Sequence, residues 1–181
     1  GIDINIQPAW ELYDADTEEH RNVIVAVIDT GIDINHPELK DAIWINEDEI
    51  PGDGIDNDGN GYVDDVNGWN FFANNNQVFV GKEDDHGTHA AGTIAASRRT
   101  LGIAGIADNR YVKIMPLKAL GTEQGIGEER AVIEAIRYAE ANGASICNLS
   151  FGSEIYYPQL EQVMRESKML FISAAGNGNS S

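Results

Sequence analysis

Six consecutive apolar residues, Val23-Ile24-Val25-Ala26-Val27-Ile28, run straight into Asp29-Thr30-Gly31. A run without polar alternation, rich in β-branched side chains, describes a strand buried on both faces, the condition of a strand inside a parallel sheet. Parallel neighbours need crossover connections, usually helices, and the chain supplies them. Gln7–Leu12 reads as a short first helix with Pro8 near its start, and His86–Ser97 as a second. Glu128–Asn142 is amphipathic, opens on acidic residues and is followed by Gly143 as a C-cap. Pro158–Ser167 reads as a further helix. Strands are expected at Val112–Ala119, Ala144–Leu149 and Met169–Ala174, with Pro116 marking an edge or a bulge in the first of these. Strand and helix in alternation mean βαβ units. The expected fold is α/β, a mainly parallel sheet with helices on both faces.

The chain has 181 residues, of which 42% are hydrophobic, enough for one globular domain with a sizeable core. Its net charge of −18 argues against nucleic acid and against an anionic membrane surface, since both need clustered Lys and Arg. No apolar run approaches the ~20 residues of a membrane-spanning helix. Cys147 is the single cysteine, so no internal disulfide forms, and its apolar surroundings suggest a buried, inert thiol.

Between the first strand and the second helix lies a long irregular stretch, and loops of that length are uncommon unless functional. It ends in Asp84-Asp85-His86-Gly87-Thr88-His89-Ala90-Ala91-Gly92-Thr93-Ile94-Ala95-Ala96. An exposed helix has no use for so many small residues, whereas a central helix packed tightly on a sheet does. His86 therefore stands at the mouth of a buried helix. In open α/β sheets the active groups gather at the carboxyl ends of the strands. Asp29 lies at one such end, Asn177 just beyond another, and His86 starts a helix facing the same rim. A carboxylate fixes the tautomer of an imidazole and stabilises its charged form. An amide NH₂ can donate to a developing oxyanion.

Val25-Ala26-Val27-Ile28-Asp29-Thr30-Gly31-Ile32-Asp33, the His86-Gly87-Thr88-His89 box and Ala174-Ala175-Gly176-Asn177 resemble the subtilisin-like serine proteases, or subtilases, in the family's order of Asp before His. The resemblance runs from about Ile6 onwards. It implies a subtilisin-like fold and a serine endopeptidase working through an acyl-enzyme. In that scheme Asp29 orients the imidazole, His86 is general base and then acid, and Asn177 donates to the oxyanion. His89 is expected to be structural, packed inside the helix. Gly125-Ile126-Gly127 is similar to the family's substrate-binding edge segment. Ser150-Phe151-Gly152, with Ala174 and Gly176, resembles the opposite wall. A polypeptide substrate would lie between the two as an added strand. The family's Gly-Thr-Ser nucleophile box does not occur in the 181 residues, so these residues alone are expected to be inactive. They are expected to form residues 1–181 of an incomplete catalytic domain, C-terminal part missing. A propeptide and that C-terminal part are then its expected partners.

From Asp41 to Gly81 there are nine acidic residues and no Lys or Arg. Within an acidic insertion at about 46–67, Asp56, Asp58, Asn60, Tyr62 and Asp64 fall at positions 1, 3, 5, 7 and 9 of a calcium loop, with Gly61 at position 6. Position 12 is Asn67 rather than Glu, so Ca²⁺ is expected without an EF-hand. Similar insertions occur in some subtilases. The family's other calcium loop corresponds to Ser97–Gly102, where Arg99 stands in place of an Asn, so a cation there is not expected. The alternative reading is a non-catalytic subtilase-like module that binds calcium and peptide. Gly125-Ile126-Gly127 also offers two of the three glycines of a dinucleotide fingerprint, and His86 with His89 a fragment of a zinc site, but each lacks its remaining parts. The expected location is extracellular, with an intracellular one as the alternative, because the family contains both.

Overall fold

The computed structural model describes residues 4–98, 102–121 and 128–177. Five strands form one parallel sheet: β1 (Val23–Asp29), β2 (Trp69–Asn70), β3 (Val112–Lys118), β4 (Ile146–Leu149) and β5 (Leu170–Ser173), in the order β2-β3-β1-β4-β5. The helices are α1 (Ile6–Ala15), α2 (Asp85–Ala95), α3 (Glu129–Ala141) and α4 (Pro158–Glu166), and a 3-10 turn at Lys82–Asp84 leads into α2. The α/β class and the parallel sheet expected from sequence are both present.

Because side chains alternate along a strand, β1 serves two cores. Ala26 and Ile28 pack with Trp44, Trp69, Phe71, Met115, Leu117 and the inner faces of α3 and α4. Val25 and Val27 pack on the other side with Ile32, Leu39, Ile114 and the Ala91 and Ala95 face of α2. The small residues of α2 are needed for this approach: an added Cβ on Gly87 would stand 2.3 Å from the carbonyl oxygen of Gly31. Cys147 is fully buried, and burial pushes its thiol up to about 12. The C-cap glycine of α3 is as expected, with Gly143 at φ +79°.

Three sequence readings are corrected. Pro116 makes no bulge and lies in β3, which is interior in the sheet order, but on the β2 side pairing begins only at Leu117, so Pro116 stands at a locally open edge. The main-chain groups of Ile114 bond to Ala42 and Trp44, and those of Lys118 to Phe71 and Phe72. The carbonyl of Pro116 faces Gly68 in the gap between these contacts, so the missing N–H falls on the side where β3 has no partner at that level. The two residues of β2 carry no periodicity and were hidden in the long loop. His89 is exposed rather than packed inside the helix, and lines a groove with Asp33, His36 and Glu38.

Candidate active site

Asp29 is the last residue of β1 and is completely buried. Its Oδ1 accepts from the backbone N–H of Thr30 at 2.7 Å and faces His86 Nδ1 at 2.7 Å. A carboxylate can only accept, so Nδ1 carries the proton and the lone pair of the neutral ring lies on Nε2. The His86 side chain is 55% exposed, so the imidazole stands at the surface on a buried anion. Asp29 Oδ2 is buried with no hydrogen-bond partner among the described residues.

The surroundings explain why these two groups meet. Asp29 O accepts from both Ala119 and Leu120 N–H, which fixes the end of β1 against β3. The Thr30 hydroxyl accepts from Gly87 N–H at 3.2 Å, one residue after His86. Thr88 donates to Asp84 O and accepts from Asp33 N–H, both at 3.0 Å. Gly31 lets the chain turn away beneath α2: at φ +128°, a Cβ there would lie 2.6 Å from Asp84 Oδ2.

Asn177 lies four residues beyond β5, exposed, at the same carboxyl end as Asp29. Only β4 separates β5 from β1, so the two ends are about 10 Å apart at the usual strand spacing. No hydrogen bond joins Asn177 to Asp29 or His86. Ser150, Phe151 and Gly152 continue β4 at that rim; Ser150 Oγ accepts from Asn148, and Phe151 packs partly onto the core. Ala174 N–H donates to Leu149 O, and Gly176 adopts φ +86°. Gly125, Ile126 and Gly127, together with Arg99, lie outside the described residues.

In the acidic loop the structure brings together Glu49, Asp58 and Asp65, with one carboxylate oxygen of each inside a 4.8 Å group. Of the three aspartates expected as ligands, Asp56, Asp58 and Asp64, Asp58 is in it. Asp56 accepts from Asn60 and Gly61 N–H, and the Gly61 bond is the main reason its carboxyl is held below the usual range. Asp64, at φ 55°, accepts from Gly52 and Gly54 N–H. Tyr62 packs edge-on against Trp69, Phe71 and Tyr138. Asn60 donates its amide to Asp58 and Asp65.

Glu49 and Asp65 were missed by spacing alone. Glu49 precedes the repeat by seven residues, and the left-handed turn at Asp64 reverses which of the adjacent aspartates faces inward. Asp65 is completely buried, accepting from Asn46, Asn60 and the Tyr138 hydroxyl. Burial, then the bond to Asp65, raises the Tyr138 phenol. Glu49 is 6% exposed; its Oε1 accepts from Asn57 and Asp58 N–H, while Oε2 is buried with no partner among the described residues. A buried carboxylate oxygen left without a donor, beside two further carboxylates, is the arrangement a cation completes. Oxygens up to 4.8 Å apart also match opposite ligands of an ion with bonds of about 2.3–2.6 Å.

The subtilase family profile matches residues 20–181. Subtilisin-like protease 1 of Plasmodium falciparum is 36% identical over 157 residues, covering 83% of this chain and 22% of that protein. The major intracellular serine protease of Bacillus subtilis is 34% identical over 160 residues, 87% of this chain and 43% of that protein. Subtilisin DY of Bacillus licheniformis is 32% identical over 163 residues, 88% of this chain and 49% of that protein. The chain thus spans less than half the length of these relatives. Among the described residues no helix is long and apolar enough to cross a membrane.

Proposed function

The chain belongs to the subtilase family, and on that premise we propose that it contributes the acid–base half of a calcium-stabilised serine endopeptidase. The observation that carries the reading is the 2.7 Å contact between buried Asp29 and exposed His86. The carboxylate holds the proton on Nδ1, which leaves Nε2 to take a proton from a serine hydroxyl. The serine is supplied by residues outside 1–181. As the imidazolium forms, Asp29 stabilises its charge. The serine then attacks the scissile carbonyl, and the Asn177 amide donates to the oxyanion. His86 returns the proton to the leaving amine, and water repeats the sequence on the acyl-enzyme.

Residues 1–181 form part of one catalytic domain, with the acidic insertion at about 46–67. Polypeptide substrates are bound as an extended strand between Gly125-Ile126-Gly127 on one side and Ser150-Phe151-Gly152, with Ala174 and Gly176, on the other. The cation is Ca²⁺, held by Glu49, Asp58 and Asp65; when bound it neutralises their mutual repulsion and fixes the loop. The protein acts outside the cell and is made with a propeptide.

The test uses the full-length protein and a fluorophosphonate probe. The wild type is expected to label on one serine and to cleave peptide bonds, and His86→Ala is expected to lose both. Peptide binding with no labelling in the wild type would instead establish a non-catalytic binding module.

A further inference from the structure

The strand register sets Lys118 of β3 beside Asp29 of β1. The Lys118 side chain is 2% exposed and that of Asp84 is completely buried. An ammonium has three protons, and here each has its own acceptor: Asp84 Oδ1 at 2.7 Å, the carbonyl of Thr30, and the carbonyl of Leu120 at 3.3 Å. These acceptors sit on three separate segments: the turn that opens α2, the residue after Asp29, and the chain leaving β3. Asp84 is fully used as well. Its Oδ2 accepts from Val80 N–H at 2.7 Å, and its carbonyl accepts from the Thr88 hydroxyl.

Stability does not account for an ion pair at this depth. The cost of desolvating two charges offsets their attraction, and apolar side chains of equal volume commonly serve as well or better. What the pair adds is direction. A methionine or leucine would fill the space, but would not tie the residue after Asp29 to the residue two before His86. We infer that Lys118 and Asp84 are positioning residues for the Asp29–His86 pair, fixing the start of α2 against the carboxyl end of β1. This rests on the acid–base role proposed above for Asp29 and His86.

The pair also keeps the field at the imidazole balanced. The charged or titratable groups on the packed elements are Asp29 on β1, Asp33 beyond it, Lys82 and Glu83 with Asp84 on the turn, Asp85 and His89 on α2, and Lys118 on β3. Replacing Asp84 with Asn leaves the Lys118 charge uncompensated, which disfavours the imidazolium. The acid limb of the pH profile for kcat/KM is then expected to move to lower pH. A fault of packing alone would lower activity without moving that limb.

The experiment uses the full-length protein with two variants, Asp84→Asn and the uncharged Lys118→Met/Asp84→Leu. In the wild type, fluorophosphonate labelling that depends on His86 must first be present; its absence overturns the function, not this inference. With it present, both variants are expected to label at least tenfold more slowly, with KM for a peptide substrate within twofold of wild type. Only Asp84→Asn is expected to shift the acid limb. Wild-type labelling rates in either folded variant would overturn the inference. So would collapse of both variants, which would assign the pair to stability, or slow labelling with the acid limb unmoved in Asp84→Asn.

Discussion

Asp29 and His86, 57 positions apart in sequence, meet at 2.7 Å, with the carboxylate completely buried and the imidazole 55% exposed. Depth and reach are divided between them. The anion is held where neighbouring backbone fixes it, and the ring stands where a substrate can arrive. Asp29→Asn keeps the shape and an acceptor for Thr30 N–H, but removes the charge that balances the imidazolium. Turnover of the full-length enzyme at saturating peptide is expected to fall about 10⁴-fold, with KM little changed. A steady-state series over peptide concentration measures both; a loss of less than tenfold would remove Asp29 from the mechanism.

At Gly87, α2 packs directly on the end of β1 and on the turn that follows it. A methyl group there would lie 2.3 Å from Gly31 O and 3.1 Å from Asp29 Cβ, so backbone has to move. Overpacking of this kind costs about 1–3 kcal/mol, a fall of about 2–4 °C in Tm for each kcal/mol in a domain of 150–250 residues. Gly87→Ala is expected to lower both Tm and kcat, because the displaced element carries His86. Gly92→Ala is the control. Its nearest contact is the end of the Ile103 side chain at 3.3 Å, which can rotate. Thermal melts and turnover of the two variants should separate clearly.

How far the sequence was legible follows from how local each signal is. The apolar run of β1 and the amphipathic α3 are written in consecutive residues, and both appear within a residue or two of their expected bounds. Asp29 and His86 were legible because the topology rule delivers strand ends and helix starts to one rim. β2 was not, since two residues have no period, and it is defined by the pairing of Trp69 and Asn70 with Leu117 and Lys118. Glu49 and Asp65 were not, because the cluster depends on a left-handed turn at Asp64 and on burial supplied by Tyr138, 73 positions beyond Asp65. Lys118 reads in sequence as the polar end of a strand; its three acceptors come from segments that only the fold brings together.

Asp108 gives a pH-dependent contribution to stability. Hydrogen bonds from the Arg110 guanidinium, chiefly, hold its carboxyl below the usual range, although burial opposes this. Arg98, 3.6 Å away, lies over the Trp10 ring at 5.0 Å, so Asp108 also anchors α1 indirectly. A carboxyl depressed on folding stabilises the native state above its unfolded value, and the gain is lost as pH falls through its folded value. Because Arg110 is half-exposed, the screened contribution is about 1 kcal/mol. Asp108→Asn is therefore expected to lower Tm by about 2–4 °C at pH 7, with the difference closing as the pH drops below the carboxylate range. Melts at pH 7, 5 and 3 test the sign; a gap that widens in acid would contradict it.

Glu49 separates a calcium loop from an acidic turn that needs no ion. Its Oε1 is occupied by the N–H groups of Asn57 and Asp58, its Oε2 is buried with no donor among the described residues, and its carboxylate groups with those of Asp58 and Asp65. Glu49→Gln preserves the first contact and places an amide where the free oxygen was. If a cation completes the group, the wild type gains by mass action, about 2.7 kcal/mol at a hundredfold excess over Kd. Chelation should then lower its Tm by roughly 5 °C or more. The variant should gain little from calcium. In chelator the order should reverse, because the glutamine relieves carboxylate repulsion and adds a donor. Melts of both proteins with calcium and with EDTA should therefore cross. If Glu49→Gln is the more stable protein in both conditions, the orphaned oxygen is a defect of the loop and not a ligand.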